Sequence, residues 1–404
     1  MKTIAVIASC DTKFQEVQYM QEILRAQDVK PLVVDMSIGP EKTNLADISR
    51  EEVFEEENLK WSEIKSGTKG ELMELMISAM KKKIYRLYEE GKIAGVIAAG
   101  GVQNTTVATQ AMHELPIGFP KVMVTTIASG NKCFKEVVGY KDIVVFPSIV
   151  DFTGMNSVIG TILKNACISV AGMAKHADGQ LVKPKKPVVG ITMMGITNKG
   201  CMAAVRELER KGFEVWGFHA TGAGGAVMEK LALEGKADGI LDMTTHEIVS
   251  GYFEGGFSYG EYERLQYLRK GHMPVVVSVG GLDFIDYDIR EFPYPLDQRK
   301  YNKHNERLAH IKLKEKEARR VAELFTDRLN AAGREVELIL PTDGMRCDTR
   351  PGEALYDSSV DDTLLKVIEE KAGENVHIQY LKGNLDSEEW GIRAARYLAE
   401  KLDI

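Results

Sequence analysis

The chain has 404 residues, 44% of them hydrophobic, with 52 Lys and Arg against 59 Asp and Glu and a formal net charge of -7. That length accommodates two or three domains, and the apolar content excludes a disordered chain. The acidic balance excludes broad nucleic-acid binding, which needs a basic surface.

The first predicted element is the strand "TIAVIAS". "IASC" mimics a lipoprotein cleavage site at Cys10, but the apolar run before it is shorter than the roughly 7–15 residues of a signal peptide. A buried first strand is therefore expected. A helix follows over Gln15 to Ala26, then the strand "KPLVVDM", an acidic and less regular segment to about Gly67, and a helix from about Gly70 to Glu90. The basic run "MKKKIYR" reads as the wet face of that helix. "AGVIAAGG", "KVMVTT" and "DIVVFPS" are continuous Val/Ile runs, the pattern of strands buried on both faces of a parallel sheet. Met155 to Lys175 is apolar nearly all round but interrupted by Asn156, Lys164 and Asn165. It predicts a helix buried between domains or subunits rather than a membrane span.

"GQLVKPKKPVV" breaks the pattern and reads as a linker, so the domains are expected at 1–183 and 184–404. The same grammar restarts at "PVVGITMMG". Helix Lys199–Arg210, strand "EVWGFH", helix Ala223–Glu234 and strands "GILDM" and "PVVVSVGG" follow. A long helix is expected from about Asn302 to Ala332, with Leu308, Ile311, Ala318, Ala322, Phe325 and Leu329 on one face. "EVELILP", a helix near Asp361–Lys371, "VHIQYL" and a helix over Ser387–Lys401 complete the chain. The fold class is α/β: two Rossmann-like, doubly wound, mostly parallel halves facing a cleft. "VIAAGG" in the first half resembles "VVSVGG" in the second, which suggests similar architecture.

In open parallel sheets, ligands bind beyond the carboxyl ends of the strands. The loops at those ends are rich in Gly, Ser, Thr and Asn, which supply amide donors, hydroxyls and helix caps suited to a polyanion. In the first half they hold Asp11, Thr12 and Lys13; Gly100, Gly101 and Asn104; Ser129 and Gly130; and Asp151. In the second they hold Gly195 and Thr197; His219, Thr221, Gly222, Gly224 and Gly225; and Gly280 and Gly281. Three glycines within four positions of "TGAGGAV" allow close approach to the backbone. Asp11 suits a magnesium ligand or a helix cap, and Asp151 a magnesium ligand, a base or a cap. His219, before the glycine loop, suits a catalytic or phosphate contact or a structural hydrogen bond.

Several chemistries are disfavoured. There is no GxxxxGK followed by Ser or Thr, no GxGxxG, no HExxH and no GxSxG. Asp242 ends a strand at a distance suited to an NAD site but is weak evidence alone. His304 and His310 are six apart, off the zinc spacing, and a structural zinc is rejected. Asp343, Arg346 and Asp348 belong to a long segment with the composition of a functional loop, and no His is identifiable as a base for Cys347. Five scattered cysteines (Cys10, Cys133, Cys167, Cys201, Cys347) without CxxC fit a reducing cytoplasm.

Taken together, "DTK", "AAGG", "DFTGMN", "GMAKHADG", "GITMMGITNKG" and "FHATGAGGAVME" resemble the ATP-binding domain family typified by the tomato mosaic virus resistance protein, over essentially the whole chain. The resemblance implies two Rossmann-like subdomains, ATP with Mg²⁺ and a homodimer or higher homo-oligomer. It gives a ligand without a reaction. The expectation is an ATP-Mg-dependent enzyme acting on a small anionic substrate, with ATP on the glycine-rich loops and the substrate between the halves. Asp11 or Asp151 would lie near the metal, and Asp151 and His219 are the catalytic candidates. The alternatives are a nucleotide-regulated scaffold without turnover, or an NAD-type oxidoreductase or sugar isomerase using the same loops.

Overall fold

The computed structural model describes residues 1–41, 44–129, 137–260 and 263–402. The chain divides into two units, Met1–Val182 and Lys183–Ile404.

Unit 1 runs β1 (Thr3–Ala8), α1 (Phe14–Ala26), β2 (Lys30–Asp35), α2 (Arg50–Phe54), α3 (Trp61–Ile64), α4 (Lys69–Glu89), β3 (Gly95–Gly100), α5 (Val102–His113), β4 (Lys121–Thr125), β5 (Val144–Pro147) and α6 (Ser157–His176). Its sheet has the order β2-β1-β3-β4-β5, all parallel. Strand β1 shows why the strands read as unbroken apolar runs. Ala5 and Ile7 enter one core with α4 and α5, while Ile4, Val6 and Ala8 enter a second core with α1 and α6. Both faces are covered, so period-2 alternation disappears. Helix α4 starts where the sequence provides a capping box: Thr68 accepts from the Glu71 amide, and Glu71 accepts from the Thr68 amide.

Helix α6, expected between domains or subunits, packs one face on unit 1's own sheet. Ile159, Leu163, Ala166, Cys167, Val170, Ala171 and Ala174 form an i, i+3/i+4 stripe buried on unit 1's own sheet. The all-round apolarity comes from Val158 and Ile168 on the exposed side. Among the described residues α6 is the one helix long and apolar enough to cross a membrane.

Unit 2 runs β6 (Val188–Met193), α7 (Asn198–Arg210), β7 (Glu214–His219), α8 (Gly224–Leu233), β8 (Gly239–Thr244), α9 (Glu247–Tyr252), β9 (Val275–Gly280), β10 (Phe284–Asp288), β11 (Tyr301–Lys303), β12 (Leu308–Lys312), α10 (Glu315–Asn330), β13 (Val336–Pro341), α11 (Ser358–Lys371), β14 (Val376–Leu381) and α12 (Glu388–Lys401). The parallel sheet has the order β14-β13-β9-β8-β6-β7. Numbered by appearance within each sheet, both units begin 2-1-3-4-5. In that scheme β3 is third and β9 fourth. The repeated "GG" phrases therefore sit on non-equivalent strands, and β8 is the counterpart of β3.

The predicted long helix is corrected at its start. Residues 301–312 form strands β11 and β12 of a small antiparallel sheet, β10-β12-β11, and the helix begins only at Glu315. Asn305 explains the break. Its Oδ1 accepts from the amides of Arg307 and Leu308, both at 2.8 Å, and the His304 amide donates to the Leu308 carbonyl at 2.9 Å, which closes a hairpin. Ala309 and Ile311 alternate into the core with strand period, whereas the helical stripe starts at Ala318.

Candidate functional site

A parallel sheet of order 2-1-3-4-5 has its topological switch point between its first and third strands, where successive crossovers leave on opposite faces and the loops part. In unit 1 this lies beyond the carboxyl ends of β1 and β3. A cavity of about 590 Å³ opens there. Ser9, Asp11, Thr12, Gln103 and Asn104 form its sheet-side wall. The loop Ile38–Pro40 forms a second wall, and Trp61, Lys65, Lys69 and Leu72 form a third.

Internal bonds hold the sheet-side wall. Asn104, 7% exposed, accepts from Ser9 Oγ at 3.0 Å and donates to the Ala99 carbonyl at 3.2 Å, joining the ends of β1 and β3. Gly100 has φ +151°, and a Cβ there would fall 2.5 Å from Asn104 Nδ2, so this glycine makes room for the asparagine. Gly101 is the N-cap of α5 and supplies no side-chain acceptor, which leaves the first α5 amides without a cap. Asp35 at the end of β2 accepts from the Cys10 and Ser37 amides at 3.3 and 2.9 Å and from the Ser37 hydroxyl. Ser37 Oγ in turn receives the Asp11 amide at 3.2 Å. Gly39 lies so close that a Cβ there would meet Asp11 Oδ2 at 2.4 Å.

Of the residues singled out in the first half, Asp11, Thr12 and Asn104 line this cavity, and Gly100 and Gly101 shape its edge. Lys13 turns elsewhere: its ammonium donates to the Phe152 carbonyl at 2.6 Å. Asp151 is exposed and accepts from the Phe152 amide at 2.7 Å, as a cap of its own turn. Gly130 lies outside the described residues, and of Ser129 only the backbone is described. No group of three or more His, Cys, Asp or Glu among the described residues is arranged to hold a metal.

The corresponding point of unit 2, between β6 and β8, is filled by the protein itself. Arg264 is 1% exposed. Its Nε donates to Glu229 at 2.7 Å, its Nη2 to both Asp242 oxygens at 2.9 and 2.7 Å, and its Nη1 to Glu247. Asp242 also accepts from Thr192 Oγ1 at 2.7 Å. Burial pushes the Glu229 carboxyl up to about 7.

The glycine loop after β7 packs against this cluster. A Cβ on Gly225 would lie 2.3 Å from Arg264 Nη1, and one on Gly222 (φ +94°) 2.9 Å from the Tyr259 carbonyl. One on Gly224 would lie 2.0 Å from the His219 carbonyl. The Gly225 amide donates to Glu247 Oε1 at 3.1 Å, and the Thr221 amide to the His219 carbonyl at 2.8 Å. The close approach these glycines permit is that of the chain to itself.

The other second-half candidates, Gly195 excepted, make contacts within the unit as well. His219 is exposed, with Nδ1 3.1 Å from the Met193 carbonyl. Thr197 is buried, with its hydroxyl 2.8 Å from that of Thr244, while Gly195 is exposed. A Cβ on Gly280 would lie 2.1 Å from the Met243 carbonyl, and one on Gly281 (φ +80°) against the His246 ring. His246 has Nδ1 2.6 Å from the Gly281 carbonyl and Nε2 3.0 Å from Asp286. Both partners are acceptors, so the ring is a doubly protonated imidazolium. Burial alone would lower its pKa; the Asp286 charge, the hydrogen bonds to Asp286 and the Gly281 carbonyl, and the Glu247 charge together raise it. Lys312 bridges Asp283 and Asp361 at 2.7 and 2.6 Å; burial and the Asp283 charge push Asp361 up to about 7.

Sequence reasoning missed Gly39, Trp61, Lys65, Lys69 and Arg264. The first four come from the irregular segment after β2 or its junction with α4, where no period marks a wall. Arg264 belongs to a loop without any motif.

Two tandem parallel α/β units with Rossmann-type switch points, one of them open, define the class of protein. More particularly, the chain belongs to the uncharacterised protein family UPF0261: the family's N-terminal domain matches residues 2–179 and its C-terminal domain residues 186–402. A UPF0261 protein of Clostridium tetani is 33% identical, covering 100% of this chain and 99% of its own length. The ToMV resistance protein Tm-1(GCR237) of Solanum lycopersicum is 33% identical over 90% of this chain, which spans 50% of that protein. Among solved structures, the UDP-GlcNAc 2-epimerase of Methanocaldococcus jannaschii is 8% identical, with TM-score 0.23, covering 99% of this chain and 100% of that one. The UDP-GlcNAc 2-epimerase of Neisseria meningitidis is 12% identical, with TM-score 0.22, covering 69% and 82%. At those scores the structural likeness decides nothing about this chain.

Proposed function

We propose that unit 1 binds ATP with Mg²⁺ in its switch-point cavity and that the protein is an ATP-dependent enzyme acting on a small anionic substrate. The observation that carries this reading is the open cavity itself. It gathers the Ser9 and Thr12 hydroxyls, the Asp11 carboxylate and the uncapped start of α5 at the topological point where parallel sheets take nucleotides. The equivalent point of unit 2 is closed by Arg264 and its carboxylates, so one nucleotide per chain is expected. The donor set suits the metal as well. Magnesium in nucleotide sites takes one or two carboxylates and completes its shell with phosphate oxygens and water, and Asp11 is the carboxylate that lines the cavity.

In this reading the α5 amides and the Thr12 hydroxyl bind and orient phosphate oxygens, Ser9 fixes Asn104 at the cavity wall, and Asp11 holds the metal. Asp35, acting through Ser37, fixes the Asp11 backbone. The bound nucleotide supplies an activated phosphoryl group, and catalysis is mostly positioning and electrostatics. The working assembly is a homo-oligomer, which sedimentation velocity checks directly.

Thermal denaturation with ATP-Mg²⁺, ADP, NAD and UDP-GlcNAc tests the ligand. Ligand at one hundred times its Kd stabilises a folded protein by about 2.7 kcal/mol. A rise in melting temperature with ATP-Mg²⁺ that Asp11→Ala abolishes supports the reading. Stabilisation by NAD or UDP-GlcNAc but not ATP overturns it. Tight ATP binding with no ADP release across a panel of small carboxylates and sugar acids points instead to the nucleotide-regulated scaffold.

A further inference from the structure

The third wall of the unit 1 cavity holds two cations that the fold does not explain. Lys65 closes α3 and Lys69 opens α4. Both are exposed, and neither has an ion-pair or hydrogen-bond partner among the described residues, although the lysines around them are paired: Lys60 with Glu63, Lys82 with Glu57 and Lys83 with Glu56. Lys69 is the first residue of a 21-residue helix, where its charge opposes the positive end of the helix dipole. For stability alone, an acidic residue belongs there. They are also the two basic side chains that line this cavity, which contains a single carboxylate, Asp11.

Trp61 limits what else the wall can do. Its ring stacks on Phe54 at 5.7 Å and 15°, and the Arg50 guanidinium sits 4.3 Å from its centroid. Phe54 and Arg50 thus fix the indole in the wall. The apolar lining for a ring is Ile38, Pro40, Trp61 and Leu72. Arg50 itself is 2% exposed and is spent on the wall, donating to the Gly39 carbonyl. Neutralising negative charge beyond the reach of the α5 amides therefore falls to Lys65 and Lys69.

We propose that Lys65 and Lys69 are specificity-determining residues that grip the outer phosphates of the ligand, so that the site selects a nucleoside triphosphate over the di- and monophosphate by charge. This rests on the nucleotide reading above. The same chemistry would also hold a free polyphosphate, and the experiment separates the two sources.

Calorimetric titration of the full chain with ATP, ADP, AMP and inorganic triphosphate, each with Mg²⁺, compares wild type with Lys65→Met/Lys69→Met and Lys65→Arg/Lys69→Arg. Both positions are exposed, so the variants fold, which circular dichroism verifies. Charge-assisted phosphate contacts predict about tenfold per lysine. The methionine pair should lose about a hundredfold for ATP and change AMP affinity by less than about threefold, while the arginine pair keeps the ATP preference. Equal losses for ATP and AMP, or no loss for ATP, overturn the proposal. If wild type binds inorganic triphosphate through the lysines but no adenine nucleotide, the nucleotide reading fails and the phosphate grip stands. If neither ATP nor inorganic triphosphate binds, the grip is overturned as well.

Discussion

Replacing Arg264 by Met is predicted to be among the most damaging single changes in unit 2. The substitution keeps side-chain bulk and removes the guanidinium that faces Glu229, Asp242 and Glu247, all buried. Each carboxylate retains other donors: the Leu265 and Tyr267 amides for Glu229 at 2.6 and 3.4 Å, Thr192 Oγ1 and the Tyr267 hydroxyl for Asp242 at 2.7 and 3.4 Å, and the Gly225 amide for Glu247 at 3.1 Å. What is lost is the charge. Removing one partner of a buried ion pair costs about 3–5 kcal/mol, a large share of a typical domain stability of about 5–15 kcal/mol. The pH dependence has a definite sign. Glu229 already titrates at about 7 in the folded protein, above an ordinary carboxylate. A raised carboxyl pKa gives stability that is full below the unfolded-state value and lost as pH rises through the folded value. Without Arg264 the Glu229 carboxyl shifts further up, so the deficit should be small near pH 5 and full near pH 8. Urea denaturation of the full chain at both pH values, following the unit 2 transition, measures it. A second variant sharpens the test. Gly225→Ala alone forces a Cβ to within 2.3 Å of Arg264 Nη1 and should cost about 3 kcal/mol. In the Arg264→Met background a flexible side chain replaces that guanidinium, so the two costs should fall well short of adding. A deficit below about 1 kcal/mol at pH 8, or one independent of pH, refutes the reasoning.

In unit 1, Gly39→Ala should push the Asp11 carboxylate out of place, because the new Cβ would lie 2.4 Å from Oδ2; ATP affinity should lose about tenfold of its dependence on Mg²⁺ in calorimetry, with the melting temperature nearly unchanged. Asp286→Asn removes the charge that keeps His246 protonated. Because the folded pKa of His246 is raised, the pair's contribution is full below pH of about 6.5 and declines as pH rises through the folded value. The variant should therefore be destabilised by about 3 kcal/mol at pH 6 and by less at pH 10, as read by urea denaturation; an equal deficit at both refutes the assignment.

The parallel sheets were legible because their strands are buried on both faces and their helices carry clear 3.6-residue stripes. Helix α4 was legible to within a residue at each end, expected from about Gly70 to Glu90 and found at Lys69–Glu89. The hairpin around Asn305 was not: Leu308 and Ile311 are three apart and fit a helical stripe, whereas the strand buries Ala309 and Ile311, and the deciding bonds come from one asparagine side chain. The site was half legible. Residues that follow strands are found by locating strands, which is how Asp11, Thr12 and Asn104 were reached. Lys65 and Lys69 come from the segment before α4, and no strand end points to them. The glycine loop was legible as a place of close approach, but a sequence does not say what approaches, and here Arg264 arrives from about forty residues away in an unpatterned loop.

Two sheets with one strand order have opposite fates at the same topological point, and the difference lies in their loops. In unit 1 the route from β2 to the helix that precedes β3 is long. The described residues of this route, 36–41 and 44–68, include α2 and α3 and form two walls of the cavity, with Arg50 donating to the Gly39 carbonyl. In unit 2 the corresponding route is the four-residue turn from Ala220 to Ala223, which sets α8 and its Glu229 directly beside β6 and β8. Such a short turn brings a carboxylate into the switch point, and the carboxylates already at Asp242 and Glu247 then require a buried cation. Arg264 supplies it, and its guanidinium occupies the space between those carboxylates. The topology creates a crevice in both halves; the length of one crossover decides whether it stays open to phosphate or is filled from within.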